Sequence, residues 1–212
     1  MKIGLLFDLD GTLLDTLGDL RNSVNVALAS FGYPQRTLAE IRSFVGTGAR
    51  NLCRLSMPEG KDNTDEVLAA FQSHYKDHCN IETGPYAGIP AALEELKDIP
   101  MAIVSNKPDY AVKELAATYF PGIYALGEVA GTPRKPAPDM LYKAMAHIGV
   151  DTCIYIGDSE VDVTTAHGAG LSCLSVTWGF RDEDRLRAAG ATHFCHAPAD
   201  LPATLRQMMQ AL

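Results

Sequence analysis

Short apolar runs alternate along the chain with amphipathic stretches. Ile3 to Phe7 is the first run and ends in Asp-Leu-Asp-Gly. Later runs cover Met101–Val104, Ile123–Val129, Cys153–Ile156, Ser172–Thr177 and Thr192–Cys195. Continuous apolar segments of this length, closed by turn residues, predict strands buried on both faces. Positions of helical period lie between them, at Tyr110–Tyr119, Ala137–His147, Val161–His167, Glu183–Ala189 and Leu201–Ala211. Pro108 with a cap at Asp109 is expected to open the first of these, Gly149 to close the second, and Gly168 with Gly170 to close the third. Strand alternating with helix predicts an α/β fold with a doubly wound, mostly parallel, Rossmann-like sheet covered on both faces.

One interval breaks this rhythm. Between Asp15 and Pro85 no strand is predicted, and the pattern reads as helices at Asp19–Phe31, Leu38–Phe44, Ala49–Ser56 and Asp65–Cys79. A crossover needs far fewer residues. Residues 15–84 are therefore expected to form an inserted α-helical cap, with 1–14 and 85–212 as the catalytic core and Gly84-Pro85 with Gly88 as the return hinge. An insert leaving the end of a strand sits over the ligand-binding edge of the sheet, where it acts as a lid.

Composition narrows the function classes. The 212 residues carry a net charge of −8, which argues against nucleic acid and against an anionic membrane surface as partners. No segment is long and apolar enough for a membrane span, and none reads as a signal-peptide core. Five scattered cysteines without a CxxC pair predict reduced thiols and a cytoplasmic setting. His74 and His78 lie one helical turn apart, but no third ligand is evident and a surface helix face is the expected reading. The sequence leaves the oligomeric state open.

Four polar clusters each follow a predicted strand: Asp8 with Asp10 and Thr12, Ser105, Lys135, and Asp158 with Asp162. Ligands of open α/β sheets bind outside the carboxyl ends of the strands, so these clusters are expected to meet in one crevice. Each alone also fits a turn, a cap or a solvated side chain. All four in this order, with these chemical types, do not.

In these residues the chain resembles the haloacid dehalogenase-like superfamily over nearly its whole length. Asp8-Leu9-Asp10-Gly11-Thr12-Leu13 resembles the first motif and Ser105-Asn106-Lys107-Pro108 the second. Lys135-Pro136 resembles the third, and Gly157-Asp158-Ser159-Glu160-Val161-Asp162 the fourth. The insert after the first motif is similar to the cap of the phosphoglycolate-phosphatase-like branch. The resemblance implies a Mg²⁺-dependent phosphatase acting on a small phosphorylated metabolite. Asp8 would be the nucleophile, Asp10 the general acid and base, and Lys135 the neutralising cation. Asp8, Asp158 and the Asp10 carbonyl would hold the metal, with Asp162 orienting the site. Ser105, Asn106 and Thr12 are expected at the phosphoryl group, and Arg50 at a substrate carboxylate. Asp10 favours phosphate-ester chemistry over dehalogenation, because an alkoxide leaving group needs a proton and a halide does not. The Phe44–Gly48 segment and Val176–Phe180 also resemble phosphoglycolate phosphatases. A mutase or pyrophosphatase of the same fold stays open, and a phospho-aspartate switch is disfavoured by Asp10 and by the insert.

Overall fold

The computed structural model describes residues 1–212. In chain order, β1 (Ile3–Phe7) and β2 (Leu14–Asp15) precede four helices, α1 (Leu17–Ser30), α2 (Leu38–Phe44), α3 (Ala49–Ser56) and α4 (Thr64–His78). Then come β3 (Gly84–Pro85), α5 (Ile89–Glu95), β4 (Met101–Pro108), α6 (Asp109–Tyr119), β5 (Tyr124–Glu128) and α7 (Asp139–Ile148). The chain finishes with β6 (Thr152–Gly157), α8 (Glu160–Ala169), β7 (Ser172–Val176), α9 (Glu183–Ala188), β8 (Phe194–Cys195) and α10 (Leu201–Gln210).

Six strands form one parallel sheet in the order β5-β4-β1-β6-β7-β8. The run Ile3–Phe7 lies at its centre, hydrogen-bonded to β4 on one side and β6 on the other. Side chains of a strand alternate between faces. Leu5, Phe7, Ile154 and Ile156 accordingly fill one core, while Leu6, Cys153 and Tyr155 fill the core on the opposite face. The strand order reverses at β1, so the crevice between the ends of β1, β4 and β6 is the natural ligand edge.

The long interval is helical, as the absence of strand periodicity predicts. Its four helices build a third core around Val24, Leu28, Ile41, Leu52, Val67 and Phe71, which only Ala111 and Phe180 join from outside. The two-residue strands β2 and β3 pair antiparallel, Leu14 with Pro85 and Asp15 with Gly84, and so bring the two ends of the interval together. Asp19 adds a second tie. Its buried carboxylate accepts the amides of Ile81, Glu82 and Thr83 and the Thr83 hydroxyl, all within 2.8–3.1 Å.

Three local details differ from the sequence reading. The helix Ile89–Glu95 was not anticipated, because seven residues after a glycine-rich turn are too few to establish a period. The strand pair β2/β3 is likewise too short to leave a pattern. Asp109 does not cap α6: Pro108 holds that position, and the Asp109 carboxylate accepts the Gly127 amide from the neighbouring strand instead. Gly149 and Gly170 do close their helices in the left-handed conformation, at φ 66° and 70°, whereas Gly168 lies within α8 and does not end it. No helix is long and apolar enough to cross a membrane.

Candidate active site

The sheet edge collects the four clusters as expected. Asp8 leaves β1 with its amide still bonded to the Ile156 carbonyl, 2.8 Å away. Ser105 and Lys107 sit in the last turns of β4, Lys135 follows β5, and Asp158 follows β6. Asp8, Asp10, Ser105, Lys135 and Asp158 all line one small cavity of about 40 Å³. Its roof comes from the helical interval, chiefly Leu20, Val45, Leu52, Phe71 and Tyr75.

Lys135 is the electrostatic centre. It is 2% exposed, and its ammonium reaches Asp8 at 2.9 Å, Asp162 at 2.8 Å and the Tyr155 hydroxyl at 2.7 Å. Tyr155 in turn donates to the same Asp162 oxygen at 2.9 Å. The other Asp162 oxygen accepts the amide and hydroxyl of Ser159, completing a capping box at the start of α8. Desolvation alone would lower the Lys135 ammonium, but Asp162 and Asp8 together hold it above its ordinary value.

Three buried carboxylates, Asp8, Asp158 and Asp162, bring ligand oxygens within 4.8 Å of one another. One lysine cannot neutralise all three. Burial pushes Asp8 well above the ordinary carboxylate range, with Lys135 opposing and the neighbouring aspartates adding to it. Burial, and then Asp162, push Asp158 up to about 7. A buried carboxylate cluster short of positive charge suits a divalent cation. The donors fit a hard ion. One Asp8 oxygen is engaged by the Leu9 amide and Lys135, leaving the other, and one Asp158 oxygen accepts the Phe180 amide at 2.6 Å, leaving a second with only a long 3.4 Å contact from Thr12. Asp162 has both oxygens occupied by protein donors and orients Lys135 and α8 instead.

Glycines allow this crowding. A Cβ on Gly11, which has φ 83°, would lie 2.3 Å from the Asp158 carboxylate, and one on Gly179 would lie 2.3 Å from the Gly11 carbonyl. Trp178, next to Gly179, donates its indole N–H to the Thr12 carbonyl at 3.0 Å and ties the β7 end to the first loop.

Of the other expected residues, Ser105 and Asn106 line the cavity and Thr12 and Arg50 do not. Thr12 does not line the cavity; its hydroxyl turns to Asp158. Asn106 borders the cavity, but its amide is committed to the protein: Oδ1 accepts the Lys135 amide, and Nδ2 donates to the Lys135 and Gly46 carbonyls. These bonds set the backbone of Lys135. Arg50 is away from the cavity, half exposed and paired with Asp65 at 2.9 Å. A helical residue beside a glycine turn gives no sign of which way it faces. Ser105 lines the cavity, with its oxygen accepting the Lys107 amide at 3.2 Å and its proton available.

Four residues had no assigned role in the sequence reading. Lys107, 5% exposed, donates to Asp10 at 2.7 Å, beside the Thr16 hydroxyl at 2.6 Å. Tyr155 supports Lys135. A tyrosine inside an apolar strand is a usable signal, because a buried phenol must find a partner. Arg181 is buried and donates to the carbonyls of Arg42 and Val45, fastening the β7 end to the helical interval, with Glu160 at 3.1 Å as counter-charge. Tyr75 faces the cavity from α4.

Comparison with known proteins agrees with this architecture. A family model described as haloacid dehalogenase-like hydrolase matches residues 5–176. Phosphoglycolate phosphatase 1 of Pseudomonas aeruginosa is 34% identical over 190 residues, 83% of this chain and 70% of that protein. The phosphoglycolate phosphatase of Rhodobacter capsulatus is 36% identical over 192 residues, 85% and 87% of the two chains. A crystal structure of a candidate phosphoglycolate phosphatase from Lactobacillus delbrueckii subsp. bulgaricus superposes with a TM-score of 0.88 at 36% identity, over 95% of this chain and 98% of that one. The chain therefore belongs to the haloacid dehalogenase-like hydrolase family, within its phosphoglycolate-phosphatase-like branch.

Proposed function

We propose that the protein is a Mg²⁺-dependent phosphatase that hydrolyses 2-phosphoglycolate to glycolate and phosphate through a phosphorylated Asp8. The observation that carries this reading is the placement of Asp8 and Asp10 in one small roofed cavity, with Lys135 held against Asp8 by Asp162 and Tyr155. The names of the relatives support the choice of substrate.

In this reading an Asp8 carboxylate oxygen attacks phosphorus in line with the leaving oxygen. Lys135 and the Ser105 hydroxyl bind phosphoryl oxygens, where fixed donors in a dry site stabilise the charge that develops. Asp10 gives a proton to the leaving alkoxide and then takes one from the water that cleaves the aspartyl-phosphate. Held by Asp8 and Asp158, Mg²⁺ would neutralise charge on the carboxylates and the phosphoryl group. Asp162 acts at one remove, fixing Lys135 and the start of α8.

We read residues 15–84 as the cap and 1–14 with 85–212 as the core. The cap excludes water once the ligand is bound. Five free, buried cysteines support a reducing, cytoplasmic setting.

The test is Mg²⁺-dependent phosphate release from 2-phosphoglycolate, sugar phosphates, pyrophosphate and an aryl phosphate, with Asp8→Asn in parallel. Release highest from 2-phosphoglycolate, and lost with Asp8→Asn and with chelator, is the expected result. A better turnover of another member would replace the substrate and keep the chemistry. Undiminished release by Asp8→Asn would overturn the mechanism.

A further inference from the structure

We propose that the Tyr75 hydroxyl and the Lys107 ammonium together bind an anionic group, a carboxylate, carried by the leaving portion of the substrate. This rests on the phosphatase reading above and adds the residues that select the substrate.

The Tyr75 hydroxyl is fully buried and has no hydrogen-bond partner in the protein. Buried hydroxyls are nearly always paired, and an unpaired one carries a desolvation penalty, so a partner from outside the chain is the economical account. Its ring is stacked on Phe71, with centroids 5.0 Å apart, so the hydroxyl is aimed by packing. Burial pushes the phenol well above its ordinary value, which keeps it a neutral donor. Lys107 lies directly beneath, its Nζ 5.0 Å from the Tyr75 ring centroid. An ammonium has three N–H donors. Lys107 uses one, to Asp10, and no other acceptor in the protein takes the remaining two. Two residues with unused donors, one in the roof and one in the floor, thus line one cavity whose other roof residues are apolar.

Their position identifies the part of the substrate they meet. Asp8, Ser105 and Lys135 hold the phosphoryl end in the reading above. Asp10 must touch the leaving oxygen, and Lys107 touches Asp10. The group attached to that oxygen therefore lies beside Lys107, on the part of the cavity that Tyr75 also lines. A carboxylate accepts from both, as a neutral alcohol does far less well.

The experiment compares kcat/KM for 2-phosphoglycolate and for 2-hydroxyethyl phosphate, which carries CH₂OH in place of the carboxylate, in the native enzyme and in Tyr75→Phe. Phenylalanine keeps the stacked ring and removes only the unpaired hydroxyl, and urea unfolding checks that the variant folds. The native enzyme is expected to prefer 2-phosphoglycolate by about a hundredfold or more, and Tyr75→Phe to shrink that preference by about tenfold. Equal turnover of both esters by the native enzyme, or an unchanged preference in a folded Tyr75→Phe, overturns the inference while leaving the phosphatase reading intact. Hydrolysis of neither ester overturns both.

Discussion

Replacing Lys135 by methionine tests the electrostatic account of the site most directly. Methionine has similar length and no charge, so the cavity stays filled. The native ammonium is buried and contacts Asp8, Asp162 and Tyr155 at 2.7–2.9 Å. Removing it strands two carboxylates that have no other cation within ion-pair distance. Breaking a buried pair from one side costs about 3–5 kcal/mol, because the remaining charge is left uncompensated. Here two partners are stranded, which points to the upper part of that range. For a domain of this size the melting temperature should fall by roughly 6–20 °C. The assay is urea and thermal unfolding in chelator and again in Mg²⁺. Chelator is expected to give the full loss, and Mg²⁺ a smaller one, since a cation at Asp8 replaces part of the missing charge. Adding Asp162→Asn to Lys135→Met removes one stranded charge and should restore about 1–3 kcal/mol. Turnover should drop by about 10²–10³, as when an electrostatic donor is taken from a transition state. Native-like stability of Lys135→Met in chelator, or no recovery in the double variant, would refute the reasoning.

Two further predictions concern the carboxylate cluster and the tie between the two ends of the helical interval. Asp158, pushed from an ordinary value of 3.8 to about 7 by burial, keeps its proton in the native protein at pH values where the unfolded chain has lost it. Stability in chelator therefore falls as pH rises from about 4 to 7, and Asp158→Asn escapes that loss. Between pH 5 and pH 8 the variant should gain roughly 2–3 kcal/mol on the native protein, about two pH units at ~1.36 kcal/mol each. A gap in urea unfolding that stays constant, or closes, with rising pH counts against this. Asp19→Asn puts an amide N–H against the amides of residues 81–83 and should cost about 2–3 kcal/mol. Hydrogen exchange at those three amides should rise well beyond the rest of the chain, and unchanged protection there would show that Asp19 is not the tie.

The first strand shows how much of the fold was legible. An unbroken apolar run that stops at Asp8 can only be a strand covered on both faces, and the structure places it at the centre of the sheet. The helices Leu38–Phe44 and Ala49–Ser56 were also readable, and their starts are marked by the Thr37 capping box and by Gly48. The site was legible where chemistry repeats at strand ends, because topology brings every strand end of such a sheet to one edge. It was illegible where direction matters. Arg50 and Tyr75 are both helical residues of the same interval, yet one reaches Asp65 at the surface and the other the cavity. Thr12 and Asn106 sit within the motifs, yet their side chains serve Asp158 and the Lys135 backbone.

What the sequence determined by itself was therefore the alternation of elements, the helical interval and the set of groups gathered at the sheet edge. These follow from local periodicity and from the single crevice that a parallel sheet offers. Only the tertiary structure decided which lysine serves which aspartate: Lys135 answers Asp8 and Asp162, and Lys107 answers Asp10. It also decided that a tyrosine of the cap holds its hydroxyl unpaired above them. Such pairings depend on burial and on distances between residues far apart in the chain, Lys107 and Asp10 by 97 positions and Lys135 and Asp8 by more, and no local pattern encodes either.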